Sequence, residues 1–81
     1  MIQEIKLILE QIKGVPGLAA RLSDSADIIE DIGLDSLQMM EFMLEVESQL
    51  DLEIDFEKLD FSYLRSIEKF SDILQQMKKT N

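Results

Sequence analysis

Three segments of the 81-residue sequence repeat apolar side chains at the spacing of an amphipathic α-helix. One stretch, LDLEIDF, alternates as a β-strand would, but a single strand has no partner with which to form a sheet. The patterns therefore predict an all-α fold, a small four-helix bundle of three main helices and one short helix. The length suits one such unit, so we expect a single domain over residues 1–81.

Residues that start or stop helices set the expected boundaries. The first helix is predicted over residues 2–13, where glycine and proline then interrupt the pattern. A short helix is expected at residues 56–59. The last helix begins after a cap at Ser66, and Lys78 and Lys79 suit the negative end of its dipole.

A long segment, VPGLAARLSDSADIIEDIGLD, separates the first and second main helices and has no sustained period. It is predicted to be a loop with a brief helical turn at residues 18–22. The second main helix is predicted to be capped by Asp35 or Ser36 and to run to about Leu50. The apolar residues expected to face the core from the three main helices are Ile5, Ile8, Leu9 and Ile12, then Leu37, Met40, Phe42, Met43, Val46 and Leu50, and finally Ile67, Phe70, Leu74 and Met77.

Charge is concentrated in the middle of the chain. The net charge is −9, and residues 24–60 hold thirteen acidic residues and one basic residue, Lys58. Such a surface repels nucleic acid and should attract proteins with basic patches, although acidic residues can also serve only to keep a small domain in solution. No run of apolar residues approaches the roughly 20 needed to span a bilayer.

The chemistry of the side chains excludes the usual nucleophilic mechanisms. The chain contains no histidine and no cysteine, so the serine in GLDSLQMMEF, Ser36, has no neighbouring imidazole to activate it. We therefore expect no catalytic residue and no enzyme activity in the chain itself. The absence of cysteine fits a reducing compartment, and the N-terminal segment lacks the features of a signal peptide, so we expect a cytoplasmic protein.

The stretch EDIGLDSLQMMEFMLEVESQLDLEI resembles the signature of acyl carrier proteins, and the order of predicted helices is similar over nearly the whole chain. The resemblance implies that Ser36 receives 4′-phosphopantetheine from coenzyme A through a phosphodiester bond. It also implies that the thiol of this arm carries acyl intermediates as thioesters for fatty-acid, polyketide or related biosynthesis. No metal site is implied.

The resemblance also implies the kinds of partner. These are a phosphopantetheinyl transferase and an acyl- or aminoacyl-activating ligase, ketosynthase or other transferase with a basic docking patch; the carrier itself is expected to be a monomer. Gln38 departs from the family pattern, in which an acidic residue is frequent at this position. By resemblance, the partner-contacting positions are Asp35, Leu37, Gln38, Glu41, Leu44 and Glu47. Glu41 and Glu47 also interrupt the apolar pattern of the second main helix, so both are expected to be exposed.

Other interpretations of the same residues remain open. A serine after an aspartate at a helix start most often only caps the helix, and an acidic helical adaptor without a prosthetic group would tolerate Ser36→Ala. A stand-alone carrier of amino acids or peptides is a second possibility. Peptidyl carriers commonly have two glycines at this point, whereas here Ile32 precedes Gly33, which favours the acyl carrier only slightly.

Overall fold

The computed structural model describes residues 1–77 and confirms the all-α fold. This part of the chain contains no β-strand, and its elements are α1 (Ile2–Lys13), α2 (Leu18–Arg21), α3 (Ser36–Leu50), a 3₁₀ helix (Phe61–Arg65) and α4 (Ile67–Met77). Within residues 1–77, every helix is too short or too polar to cross a bilayer. Lys78 and Lys79, predicted to interact with the dipole of the last helix, lie outside the described residues.

The three main helices begin and end close to the predicted residues. Gly14 ends α1 in the left-handed conformation, with φ of 67°, and its backbone N–H donates to the carbonyl of Glu10 at 2.9 Å. A side chain at this φ would be strained, which is why glycine suits the position. At the start of α4 the hydroxyl of Ser66 accepts a hydrogen bond from the backbone N–H of Lys69 at 3.5 Å, as predicted for a cap.

The core lies between α1, α3 and α4. α1 contacts α2, α3 and α4, and the rings of Phe42 and Phe70 join α3 to α4 with their centroids 5.5 Å apart. Ile12 and Met77, predicted to face inward, are only half-buried at the edge. The buried cluster comprises Ile5, Ile8, Leu9, Ala26, Ile28, Ile32, Phe42, Met43, Val46, Leu50, Leu52, Ile54, Leu64, Ile67, Phe70, Ile73 and Leu74.

The long segment before α3 is fixed to the rest of the fold by its backbone. The N–H of Ile28 donates to the carbonyl of Leu64 at 2.9 Å, and the carbonyl of Asp24 accepts from the N–H of Glu68 at 2.9 Å. The side chain of Asp24 also pairs with the largely buried ammonium of Lys6, at 2.7 Å. This ion pair was not predicted, because Lys6 looks like a solvent-facing residue in the periodic pattern.

Two of the residues predicted to face the core from α3 are exposed. Leu37 is 66% exposed and Met40 is 62% exposed. The buried stripe of α3 is narrower than the apolar pattern suggests: it contains only Phe42, Met43, Val46 and Leu50. The prediction for Leu37 and Met40 was therefore wrong, because one face of a helix three to four turns long can contact the core only along a narrow stripe.

The short helix lies later in the chain than predicted. Residues 56–58 form only a turn, held by the carboxylate of Asp55, which accepts from the N–H of Glu57 at 3.0 Å. The helical segment is the 3₁₀ helix Phe61–Arg65, whose first turn is capped by the carboxylate of Asp60. Both aspartates are good caps, and the sequence alone does not distinguish a capped turn from a capped helix.

Asp27 should make the stability of the fold depend on pH. Its carboxylate accepts the N–H of Glu30 at 2.9 Å, and this bond, with the paired side chain of Arg65, lowers the pKa of Asp27. Because the pKa of Asp27 is lower in the folded protein than its unfolded value of about 3.9, the ionised carboxylate stabilises the fold above about pH 3.9. This stabilisation is lost as the pH falls through the folded pKa. We expect Asp27→Asn to lower the melting temperature at pH 7, and the difference from the wild type to shrink below about pH 4.

Circular dichroism melts of both proteins from pH 7 to about pH 3 test this expectation. Asp72→Asn is the matched control, because it removes one carboxylate from an exposed site on α4. A constant difference between wild type and Asp27→Asn across this range would contradict the expectation.

Candidate functional site

The start of α3 is fixed by a reciprocal pair of hydrogen bonds. The carboxylate of Asp35 accepts the backbone N–H of Gln38 at 2.7 Å, and the side-chain oxygen of Gln38 accepts the N–H of Asp35 at 3.2 Å. This capping box satisfies two backbone donors at the helix end. It also gives Gln38 a structural role at the start of α3.

The turn before the helix depends on Gly33. Its φ is 70°, in the left-handed region, and a side chain there would be strained although the surrounding space is open. The ammonium of Lys13, in the last turn of α1, donates to the carbonyl of Gly33 at 3.3 Å. The end of α1 thus supports the turn that leads into the functional segment.

Ser36 is the first residue of α3, and its side chain is exposed. Its hydroxyl forms no hydrogen bond with another described residue, because Asp35 supplies the cap. Of the two predicted capping residues, Asp35 is therefore the cap. Most of the other serine hydroxyls in residues 1–77 are engaged: Ser23 with Ser25, Ser62 with Asp60, Ser66 with Lys69 and Ser71 with Gln75.

An apolar groove begins at Ser36. Its volume is about 480 Å³, within the range of about 300–1,000 Å³ typical of small-molecule sites. One wall is α3 and the other is the segment from Phe56 to Leu64. The lining residues are Ser36, Met39, Met40, Met43, Leu44, Glu47, Phe56, Leu59, Asp60, Phe61 and Leu64.

The residues predicted to contact partners divide into two groups. Leu44 and Glu47 line the groove together with Ser36, whereas Asp35, Leu37, Gln38 and Glu41 lie outside its lining. Leu37 and Glu41 are exposed, so a protein approaching α3 could contact both.

Glu47 is half-buried, as is Gln38, whereas the other residues predicted to contact partners are exposed. Its carboxylate accepts the backbone N–H of Ile54 at 2.8 Å, and Ile54 is a core residue. The sequence predicted an exposed acid at this position, and that prediction was wrong. Glu47 anchors the second wall of the groove to α3. This role depends on a hydrogen bond to a residue seven positions later in the chain, which helical periodicity cannot reveal.

Glu47 should consequently contribute to stability, while Glu41 should not. Glu47→Ala leaves the N–H of Ile54 without its acceptor, which costs about 1–3 kcal/mol in the free energy of unfolding. Glu47→Gln keeps an acceptor oxygen and should cost less, and Glu41→Ala, at an exposed site, should stay within about 0.5 kcal/mol of the wild type. Urea unfolding measures all three variants, and equal stability of Glu47→Ala and Glu41→Ala would contradict the assigned role.

The sequence did not predict that any residue of the second wall belongs to the site. Phe56 and Phe61 are exposed and line the groove, and Asp60 lies between them in the lining. The hydroxyl and the backbone N–H of Ser62 both donate to the carboxylate of Asp60. These bonds, the one from the hydroxyl more than the one from the N–H, lower the pKa of Asp60. The sequence feature that could have indicated this wall is the pair of phenylalanines in an acidic segment. It was not interpreted in this way because a helix was predicted at residues 56–59.

The arrangement can accept a covalent group on Ser36. The hydroxyl of Ser36 lies outside the core, so a bulky substituent there opens no cavity and displaces no packed side chain. The free N–H groups at the start of α3 favour a nearby phosphate, although the carboxylate of Asp35 opposes it. The residues present therefore fit a phosphate-linked group on Ser36.

Comparison with known proteins agrees with this arrangement. Residues 6–74 match the family described as phosphopantetheine attachment site. The chain is also 32% identical over 77 residues to the acyl carrier protein of Syntrophus aciditrophicus (strain SB), an alignment that covers 95% of this chain and 86% of the relative.

Proposed function

The chain belongs to the acyl carrier protein family, whose prosthetic group is 4′-phosphopantetheine, and on that premise we propose that Ser36 bears this group. The observation that carries the proposal is the free, exposed hydroxyl of Ser36 at the first residue of α3, beside a cap that Asp35 already provides. A serine needed only for capping would hold a backbone N–H itself. The family match over residues 6–74 supports one carrier domain in the chain.

The chain contributes position and not catalysis to its own modification. The Ser36 oxygen forms a bond to the phosphorus atom of coenzyme A that is linked to pantetheine. The nucleotide part of coenzyme A leaves from that phosphorus atom, and a base of the transferase takes the hydroxyl proton of Ser36. Family members are non-catalytic carriers, and the absence of histidine and cysteine from this sequence is consistent with that role. When bound, the arm supplies the thiol that holds cargo as a thioester. The absence of cysteine also supports a reducing compartment such as the cytoplasm.

Intact-mass analysis tests the attachment directly. After incubation with coenzyme A and a broad-specificity phosphopantetheinyl transferase, the wild-type protein should gain the mass of one arm. A protein whose mass stays unchanged, under conditions that modify a known carrier in the same tube, would overturn the proposal.

We further propose that the cargo is an apolar acyl group. Eight of the eleven residues that line the groove beside Ser36 are apolar, three of them methionines whose flexible side chains adapt to different shapes. Of the lining carboxylates, Glu47 is engaged by the N–H of Ile54 and Asp60 by Ser62, so neither is a ready partner for an ammonium group. These contacts favour a fatty-acid or polyketide intermediate over an amino acid.

The cargo proposal can be tested with two acyl groups of different polarity. We expect an octanoyl group on the arm to shift the NMR signals of the Met39 and Met43 methyl groups relative to the unacylated arm. A glycyl group should leave these signals unchanged. Shifts with glycyl and none with octanoyl would favour the aminoacyl carrier.

The exposed face of α3 is proposed to dock partner enzymes. Beside Asp35 and Ser36 it presents Leu37 and Leu44 as apolar contacts and Glu41 as an exposed acid, while Gln38 and Glu47 support the geometry at its two ends. A partner with a basic patch would be attracted at long range and then contact the leucines. The transferase, an activating ligase and a ketosynthase are the expected classes, each acting on a monomeric carrier.

Charge reversal at Glu41 tests this docking face. Glu41→Lys should slow arm transfer to Ser36 severalfold at low ionic strength, mainly through the association rate, and the difference should narrow near about 0.5 M salt. Asp72→Lys, an exposed site on α4 outside the groove, changes the net charge equally and is the control. Equal slowing by both variants would mean that net charge alone matters.

A further inference from the structure

Exposed apolar side chains are concentrated around the groove. Among residues 1–77, seven large apolar side chains are exposed, and Leu7 and Val15 are the two that lie away from this region. Leu37 lies next to Ser36 in α3, and the other four line the groove: Met40 (62% exposed), Leu44 (60%), Phe56 (62%) and Phe61 (77%). A cluster of this kind marks an interaction surface more often than chance exposure does.

Phe56 and Phe61, called here the aromatic wall, stand on backbone that is held in place. Phe56 follows Asp55, whose N–H donates to the sulfur of Met77 at 3.4 Å. Phe61 follows Asp60, whose carboxylate accepts the N–H of Ser62 at 2.8 Å. Together with the bond from Ile54 to Glu47, these contacts fix the wall between α3 and α4. Both rings are therefore exposed on turns whose backbone is already held by hydrogen bonds. Binding of a partner to these rings then costs little conformational entropy of the backbone.

The charges around the groove are nearly all negative. Glu41 and Glu45 are exposed on α3, and Glu57 and Asp60 flank the aromatic wall. Lys58 is the single basic residue between residues 24 and 60. A protein that covers this surface must bring basic residues around an apolar contact, since like charges brought together at an interface are unfavourable.

We propose that the aromatic wall is the second half of the docking surface, and that Phe56 and Phe61 clasp an apolar side chain of the phosphopantetheinyl transferase against Met40 and Leu44. The proposal rests on Ser36 as the attachment site: because Ser36 itself lines the groove, an enzyme that reaches its hydroxyl lies beside the groove, within reach of both walls. Aromatic anchors of this type contribute strongly to binding when a partner removes them from water.

Other occupants fit the surface less well. A second copy of the chain would bring two strongly acidic surfaces together, against the repulsion of a net charge of −9 on each. Cargo lying on the floor of the groove, against Met43 and Leu64, would leave the outer faces of the two exposed rings in water. A basic partner covers the rings and the surrounding carboxylates at the same time.

Steady-state arm transfer from coenzyme A provides the first test. We expect Phe56→Ser and Phe61→Ser each to raise the KM for the carrier by about five- to tenfold, with kcat within about twofold of the wild type. Leu7→Ser, at an exposed site on α1 outside the groove, is the matched control and should leave both constants unchanged. Helical circular dichroism and melting temperature, measured for all three, identify any variant that fails to fold.

Fluorine NMR of the protein labelled with fluorophenylalanine provides a second test that needs no substitution. The chain has four phenylalanines, of which Phe42 and Phe70 are buried and Phe56 and Phe61 are exposed. Adding unlabelled transferase without coenzyme A should shift the two exposed resonances in a saturable, salt-sensitive way and leave the chemical shifts of the buried pair unchanged.

The outcomes separate this proposal from the attachment of the arm. Wild-type protein that gains no arm overturns the proposed function. If the wild-type protein gains the arm, Phe56→Ser and Phe61→Ser match Leu7→Ser, and the Phe56 and Phe61 resonances do not shift, the aromatic wall alone is overturned. Shifts that depend only on the concentration of the carrier would assign the surface to a second copy, and shifts that follow only octanoyl attachment would assign it to cargo; either result overturns the proposal.

Discussion

Ser36→Ala is expected to abolish attachment of the arm while leaving the fold intact. The hydroxyl of Ser36 forms no hydrogen bond with another described residue, and the cap of α3 is formed by Asp35. Its removal therefore breaks no hydrogen bond within the described residues, and alanine is a good helix former, so the free energy of unfolding should change by about 0.5 kcal/mol or less. Intact-mass analysis after incubation with coenzyme A and transferase, with thermal melts of the same samples, measures both effects.

A control at a second serine makes the result specific. Ser62→Ala removes another exposed hydroxyl, one that donates to Asp60 beside the groove, and should leave attachment intact. Attachment that survives Ser36→Ala would place the arm on another residue. Failure of both variants to accept the arm would mean that the two substitutions act through the shape of the groove.

The largest loss of stability is expected from Phe42→Ala. Phe42 is fully buried in α3, and its ring packs against that of Phe70 in α4. Truncating a buried phenylalanine costs about 3–5 kcal/mol, and chains of this size usually have only a few kcal/mol of net stability. We expect most of the variant protein to be unfolded at 25 °C, with loss of helical circular dichroism.

Phe61→Ala is the natural comparison, because it removes the same atoms from an exposed site. It should remain folded, with a urea midpoint close to that of the wild type. If Phe42→Ala instead stays folded and melts cooperatively, contacts other than the pair of rings must account for most of the packing between α3 and α4.

Local signals in the sequence were sufficient for the main helices and for the segment that contains Ser36. Glycine ends α1 at Gly14, and an aspartate followed three residues later by a glutamine begins α3. These are contacts within one turn of the chain, so their residue types specify them. The exposed position of Ser36 follows directly from its place at the helix start.

Contacts between distant residues could not be inferred in the same way. Glu47 was expected in solvent because it interrupts an apolar pattern, yet its carboxylate accepts the N–H of Ile54. Lys6 also has the sequence position of a solvent-facing residue, yet its ammonium pairs with Asp24. Leu37 and Met40 were assigned to the core because apolar side chains usually point inward, whereas a surface that binds other proteins keeps some of them exposed. The groove depends on two walls from different segments, and no single segment predicts it.

Localisation of the arm by fragmentation mass spectrometry tests the central claim most directly. The wild-type protein, modified by a transferase and digested, should yield one peptide that carries phosphopantetheine, with the fragment ions placing it on Ser36 within GLDSLQMMEF. An arm on any other residue, Ser23, Ser25 or Ser62 included, would contradict the assignment of Ser36 as the attachment site.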